Sequence, residues 1–241
     1  MYHLKLTLET PAENLALDEA LLDAAAGGEL PGDVLRLWES PQPFVVLGRS
    51  SPREEAHAAA CQADGIPILR RCSGGASVVA GPGCLMYALV LDRRRHGLTA
   101  GVDQAHRFVL NRNLQALRSL AGNIACHGTS DLAFTEGTNP TAARKFSGNS
   151  LRLRRDHLLY HGTILYDFPL ERLTRWLATP RRMPQYRAER SHEAFVCNFP
   201  AGAEAISGAF VKGWNADKPL ANWPQQRTNE LVHTRYSIIE W

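Results

Sequence analysis

A chain of 241 residues, 44% hydrophobic and 21% charged, can bury roughly 70–75% of its unfolded surface, which excludes a disordered chain and any need for disulfide or metal staples. A formal net charge of +3 is too mild to argue for nucleic acid. The five cysteines are scattered without C-x-x-C and the nine histidines without H-E-x-x-H, so neither a disulfide framework nor a metal site is expected.

The apolar run Leu85 to Leu91 is far short of the roughly 20 residues that span a bilayer. The opening MYHLKLTLETPAEN has no basic-then-apolar leader. A soluble, cytoplasmic protein with no membrane or nucleic-acid partner is the expectation.

In chain order, His3 to Glu9 alternates as a strand. Thr10, Pro11 and Glu13 form a helix start with a capping box, and the helix NLALDEALLDAAA stops at Gly27-Gly28. Val34–Glu39 and Pro43–Gly48 read as two strands joined by a Ser-Pro turn, and residues 53–63 read as helix. Ile66–Arg71 is a strand running into the loop CSGGA, with further strands near 77–80 and 85–91. Asp103 caps a long helix ended by Gly122. Strand-like pieces follow around 131–135, 145–154 and 158–167, then short helices among Pro- and Arg-rich loops. Strands clustered between helices at irregular spacing give an α+β class, a mixed β-sheet flanked by helices. No composition shift marks a linker, so one domain spanning 1–241 is expected.

Four segments can carry chemistry. In ILRRCSGGAS (Ile68 to Ser77) two arginines end a strand before Ser73-Gly74-Gly75. Paired glycines let a ligand approach main-chain N–H groups, and an adjacent guanidinium can grip phosphate or carboxylate. A plain tight turn with two solvated arginines fits equally. In ARKFSGNS (Ala143 to Ser150) Lys145 is a point charge suited to charge moving during acyl transfer, or else an edge-strand lysine that blocks aggregation. In LLYHGTILYDF (Leu158 to Phe168) His161 lies on an apolar strand and reads as a hydrogen-bonded core histidine. Cys126, in Cys126-His127-Gly128-Thr129-Ser130-Asp131, reads as a loop cysteine; near basic residues its thiol can act as a nucleophile.

Together and in order, these segments resemble the lipoate–protein ligase and octanoyltransferase family, relatives of the biotin–protein ligases. The resemblance covers roughly residues 12 to 200. It rests on NLALDEALL, FVVLGRSS, LRRCSGGAS, SDLAF, RKFSGNSLR and HLLYHGTILYDFPLERL. It implies the biotin/lipoate ligase catalytic fold and attachment of a lipoyl or octanoyl group to one lysine of a lipoyl-domain acceptor. By the same resemblance Arg49 and Arg70 frame the acyl pocket, and Ser73, Gly74 and Gly75 form its Gly-rich wall. Lys145 sits against the activated carbonyl and phosphate, Gly148 keeps the backbone close to the ligand, and His161 supports from behind. Two departures stand out: S-G-G-A-S where relatives often carry S-G-G-G-A, and an end at Trp241 without an accessory domain, for which a separate subunit is one remedy.

Three readings follow. A ligase uses ATP and Mg2+ to form a lipoyl-adenylate held by Arg70, the Gly-rich loop and Lys145. An octanoyltransferase takes its acyl group from acyl carrier protein on Cys126, whose pKa Lys145 lowers. A binding module keeps the pocket without chemistry. The ligase is favoured. The stretch RRMPQYRAERSH (Arg181–His192) reads either as a basic docking surface for acidic carrier or lipoyl domains or as a solvated loop.

Overall fold

The computed structural model describes residues 1–137, 139–179 and 183–237. In chain order its elements are β1 (Tyr2–Lys5), α1 (Pro11–Ala26), β2 (Val34–Trp38), β3 (Phe44–Leu47), α2 (Ala58–Ala63), β4 (Ile68–Arg70), β5 (Val78–Ala80), β6 (Cys84–Asp92) and α3 (Val102–Leu117). They continue with β7 (Ile124–His127), β8 (Asp131–Phe134), β9 (Arg144–Leu153), β10 (His157–Leu165), α4 (Glu171–Trp176), α5 (His192–Phe195), α6 (Ala203–Gly213), β11 (Lys218–Pro219) and α7 (Gln225–Leu231).

The strands form two sheets. The larger runs β11-β1-β2-β6-β10-β9-β8-β7 and the smaller β4-β3-β5. Both are mixed: β1 is parallel to β2 and β11, and β3 is parallel to β4, while the other pairings are antiparallel. The fold is therefore mixed sheets flanked by helices, as the composition and periodicity imply. The sequence reading placed β2 and β3 as strands joined by a turn; they enter different sheets, because β2 pairs with β1 and β6 while β3 pairs with β4 and β5.

The apolar run around Leu85–Leu91 is explained by β6, whose two faces are both covered. Cys84, Met86, Ala88 and Val90 belong to the side that carries α1, and Leu85, Tyr87, Leu89 and Leu91 to the side that carries α3 and α6. The small sheet stacks on the α1 side, where Phe44, Val45, Val46 and Val79 share one core with Met86, Ala133 and Leu165.

Helix α1 starts as its residues dictate. Glu13 N–H donates to Thr10 Oγ1 at 3.2 Å, and Thr10 N–H donates to Glu13 Oε2 at 2.8 Å. Two other boundaries move. Gly101 rather than Asp103 precedes α3, and that helix ends at Leu117, before Gly122. Cys126 lies in strand β7, not in a loop.

Candidate functional site

A two-lobed cavity opens between the α1 side of the large sheet and the small sheet. The loop lobe is walled by Arg71, Gly75, Ser150 and His161, with Leu15, Val46 and Met86 as its apolar part. The inner lobe runs between Val79 of β5, Leu173 and Leu177 around α4, and Phe195 and Val196 after it, with Arg187 on its lining. Lys145, Asp131, Gly148 and Thr163 line both lobes. Lys145 thus stands at the junction.

A β-bulge puts it there. Strand β8 pairs Asp131 with Gly148, Leu132 with Ser147 and Ala133 with Lys145, so Phe146 is an extra residue on β9. Strict alternation would send Lys145 and Gly148 to opposite faces. The inserted residue reverses the parity and turns both toward the cavity, as bulges do beside functional sites.

Lys145 Nζ lies 2.7 Å from Asp131 Oδ1, and Tyr186 Oη donates to Asp131 Oδ2 at 2.8 Å. The carboxylate is thereby shared between a cation and a phenol. Burial and the Asp131 carboxylate push the Tyr186 hydroxyl far above its ordinary pKa, so it remains a donor to Asp131. Glycine at 148 leaves the ammonium its place: a Cβ there would meet Lys145 Nζ at 2.9 Å and Cε at 3.0 Å and push the side chain aside.

The Gly-rich loop is held from inside by Arg71. Buried, it donates from Nε to Ser73 Oγ at 3.0 Å and from Nη2 to Gly74 O at 2.5 Å and Ala76 O at 2.9 Å. Ser150 Oγ donates to the same Gly74 carbonyl at 2.7 Å. Gly75 has φ +83°, a conformation open to glycine at little cost. Gly48 lets this loop close against the end of β3, since a Cβ on it would run into the Gly75 carbonyl.

Behind the loop runs a chain of buried polar groups. Ser73 Oγ and His161 Nε2 are 2.5 Å apart, and His161 Nδ1 lies 3.4 Å from Asp18 Oδ2. Asp18 in turn pairs with Arg36 at 2.5 Å, and the Arg36 guanidinium also donates to Asn14 Oδ1 and to the carbonyls of Leu6 and Asn14. Every member is partnered, which is the condition for burying charge at this depth.

The expected residues therefore sort into three places. Lys145, Gly148, Gly75 and His161 line the cavity, with Ser73 and Gly74 directly behind its wall. Arg70 does not converge with Lys145: its Nη1 donates to the carbonyls of Gly48, Arg49 and Ser51, and it lies on a separate depression. Arg71 takes the cavity position, because successive strand residues point to opposite sides. Arg49 is exposed and lines neither lobe; its backbone N–H donates to Ser73 O at 2.8 Å.

Cys126 falls elsewhere. It pairs with Leu132, on the face opposite Asp131 and Ala133, and its Sγ is 4.0 Å from Asn111 of α3. Burial pushes its thiol up, opposed by Arg118, so the expectation that Lys145 lowers it is overturned. The basic stretch is corrected as well. Arg181 and Arg182 lie outside the described residues, and Arg187 is buried rather than displayed to a partner.

Arg71, Asp131, Tyr186 and Asp18 were functional candidates that sequence reading missed, and Arg187 was read only as part of a basic surface. Two carried a signal. The doublet Arg70-Arg71 had to send one side chain each way, and Asp131 opens the SDLAF segment. The others acquire their place only through contacts between distant residues.

The family model described as lipoyl protein ligase A/B catalytic domain matches residues 10–209. The chain belongs to this family. A putative lipoate-protein ligase A of Aeropyrum pernix is 29% identical over 98% of this chain and 83% of its own length. A probable lipoate-protein ligase A of Mycoplasma genitalium is 29% identical over 69% of this chain, which spans 46% of that relative. Among solved structures, a bi-partite lipoate protein ligase of Thermoplasma acidophilum, described together with its E2 lipoyl domain, superposes with TM-score 0.80 at 21% identity, covering 100% of this chain and 96% of that one. A lipoate-protein ligase A bound with ATP gives 0.79 at 19% identity, covering 100% and 97%. These likenesses establish the fold of this lipoyl ligase family member. Within it, no helix among the described residues is long and apolar enough to cross a membrane.

Proposed function

We propose that this chain attaches a lipoyl group to a lysine of lipoyl-domain proteins by ATP-dependent ligation through an acyl-adenylate. The observation that carries the reading is Lys145 at the junction of the two lobes. A cation where two substrates meet can neutralise the charge that passes between them.

The loop lobe suits the acyl tail. Its apolar part of Leu15, Val46 and Met86 faces a polar rim of Arg71, Ser150 and His161, the pattern of small-molecule sites that bury an apolar body and fix one polar end. The inner lobe takes the nucleotide, with Phe195, Val79 and Leu177 against the base. In the first step a carboxylate oxygen of the acid attacks the α-phosphorus of ATP, and pyrophosphate leaves with the bonding pair. In the second the acceptor lysine's amine attacks the acyl carbonyl, its proton is lost, and AMP leaves. Lys145 neutralises charge on the phosphate and on the carbonyl oxygen as it develops, a cation preorganised by Asp131.

Magnesium accompanies nucleotide phosphates on one or two carboxylates rather than in a protein cage. Asp131, which lines both lobes, and Glu55, which lines the inner one, are the carboxylates that would share it. The bi-partite character of the Thermoplasma relative supports a separate accessory subunit for adenylation. Octanoyl transfer through Cys126 gains no support, because that thiol lies on the other face of the sheet.

The test offers the purified chain lipoate with ATP and magnesium in one tube and octanoyl carrier protein in another, each with an apo lipoyl domain. Lipoate-dependent pyrophosphate release and a lipoylated domain are expected. No turnover, with or without a candidate accessory subunit, overturns the ligase.

A further inference from the structure

Most charged side chains around the cavity are spoken for. Asp131 holds Lys145 and Tyr186, and Glu55 Oε2 accepts from the Ser77 N–H and hydroxyl. Arg187 is the exception. It lines the inner lobe and is 3% exposed, yet among the described residues its buried Nη2 has no hydrogen-bond partner. A buried cationic donor that lacks one of its hydrogen bonds is costly, and an anionic oxygen brought into the lobe would satisfy it.

The guanidinium is also held in position. Nε donates to Arg190 O at 2.9 Å, and its plane's carbon sits 5.1 Å from the Phe195 ring centre. Arg190 closes the turn from the other side, donating to Arg187 O and Tyr186 O. Between them Ala188 and Glu189 have φ of 49° and 58°, left-handed conformations that are costly for residues with a Cβ. Such strain persists only where surrounding contacts over-determine it, commonly at ligand clamps. The same turn carries Tyr186, which donates to Asp131 Oδ2.

We propose that Arg187 is a phosphate clamp: its free Nη2 takes an oxygen of the nucleotide's phosphate chain across the inner lobe from Lys145. This rests on the nucleotide reading of that lobe. Fixing the chain between two cations of different geometry orients the α-phosphorus toward the acyl carboxylate, and arginine's planar fork suits phosphate oxygens.

Calorimetric titration of the free protein tests it with ATP, pyrophosphate, adenosine and lipoate, each with magnesium. Arg187→Gln is expected to weaken ATP and pyrophosphate roughly ten- to hundredfold, the size of a lost charge-assisted hydrogen bond, and to leave adenosine and lipoate unchanged. ATP affinity within twofold of wild type overturns the clamp. So does a loss confined to lipoate, which would assign the donor to the acyl carboxylate. If the wild type binds neither ATP nor adenosine, the nucleotide reading itself fails and the clamp with it. Should Arg187→Gln not fold, Arg187→Met keeps an apolar stem against Phe195 without charge or donor and carries the test: unchanged pyrophosphate binding would overturn the proposal, and a loss with adenosine intact would sustain it.

Discussion

Lys145 is a common residue in an uncommon position. Its ammonium is about a quarter exposed, paired with Asp131, and faces both lobes. Glutamine keeps the length and a donor but removes the charge. Lys145→Gln is expected to lower lipoyl transfer roughly 100- to 1000-fold, the range seen when one preorganised stabilising group is removed, with little change in thermal midpoint. Transfer rate against an apo lipoyl domain, alongside a melting curve, checks this. The lysine itself was legible from its setting before S-G-N. Its pairing with Asp131 was not, because fourteen positions separate them and only the β8–β9 pairing closes the gap.

At the scale of elements, α1 and β2 are joined by charge rather than by apolar contact alone. Asp18 of α1 and Arg36 of β2 are both essentially excluded from water. Asp18→Ala leaves Arg36 buried with one neutralising partner gone, which is expected to destabilise the fold by about 3–5 kcal/mol; denaturant unfolding measures it. The link between α2 and α4 behaves differently. Asp64 accepts from the Arg175 guanidinium and from Trp176 Nε1, and these bonds hold its pKa down at about 2. A carboxyl whose folded pKa lies below its unfolded value of about 3.8 stabilises the fold above that value and loses the contribution as pH falls toward 2. Between about pH 4 and pH 2 the thermal midpoint of the wild type should fall more steeply than that of Asp64→Asn; parallel curves would show that the bond carries no pH-linked stability.

Across the whole molecule, the large sheet separates two environments. The α1 side holds the cavity, and the α3 side holds Cys126. Cys126→Ala is therefore expected to transfer lipoate at the wild-type rate, and to form no octanoyl adduct because the wild type forms none. Intact-mass spectrometry after incubation with octanoyl carrier protein reads this directly. A thioester on Cys126 would restore the transferase.

Local chemistry decided what the chain alone could express. The capping box of Thr10 and Glu13, the two-sided apolar strand at Leu85–Leu91, and the ordered motifs that carry the family resemblance depend on neighbours within a few bonds or on repeat period. Tertiary structure decided which of Arg70 and Arg71 meets the cavity, which face Cys126 takes, and that Arg187 is buried. The first two depend on strand pairing between distant segments, and the third on the packing of the Gln185–Arg187 turn against Phe195. At β9 the pairing depends on one inserted residue, Phe146, whose bulge reverses the alternation that any reading of the sequence must assume.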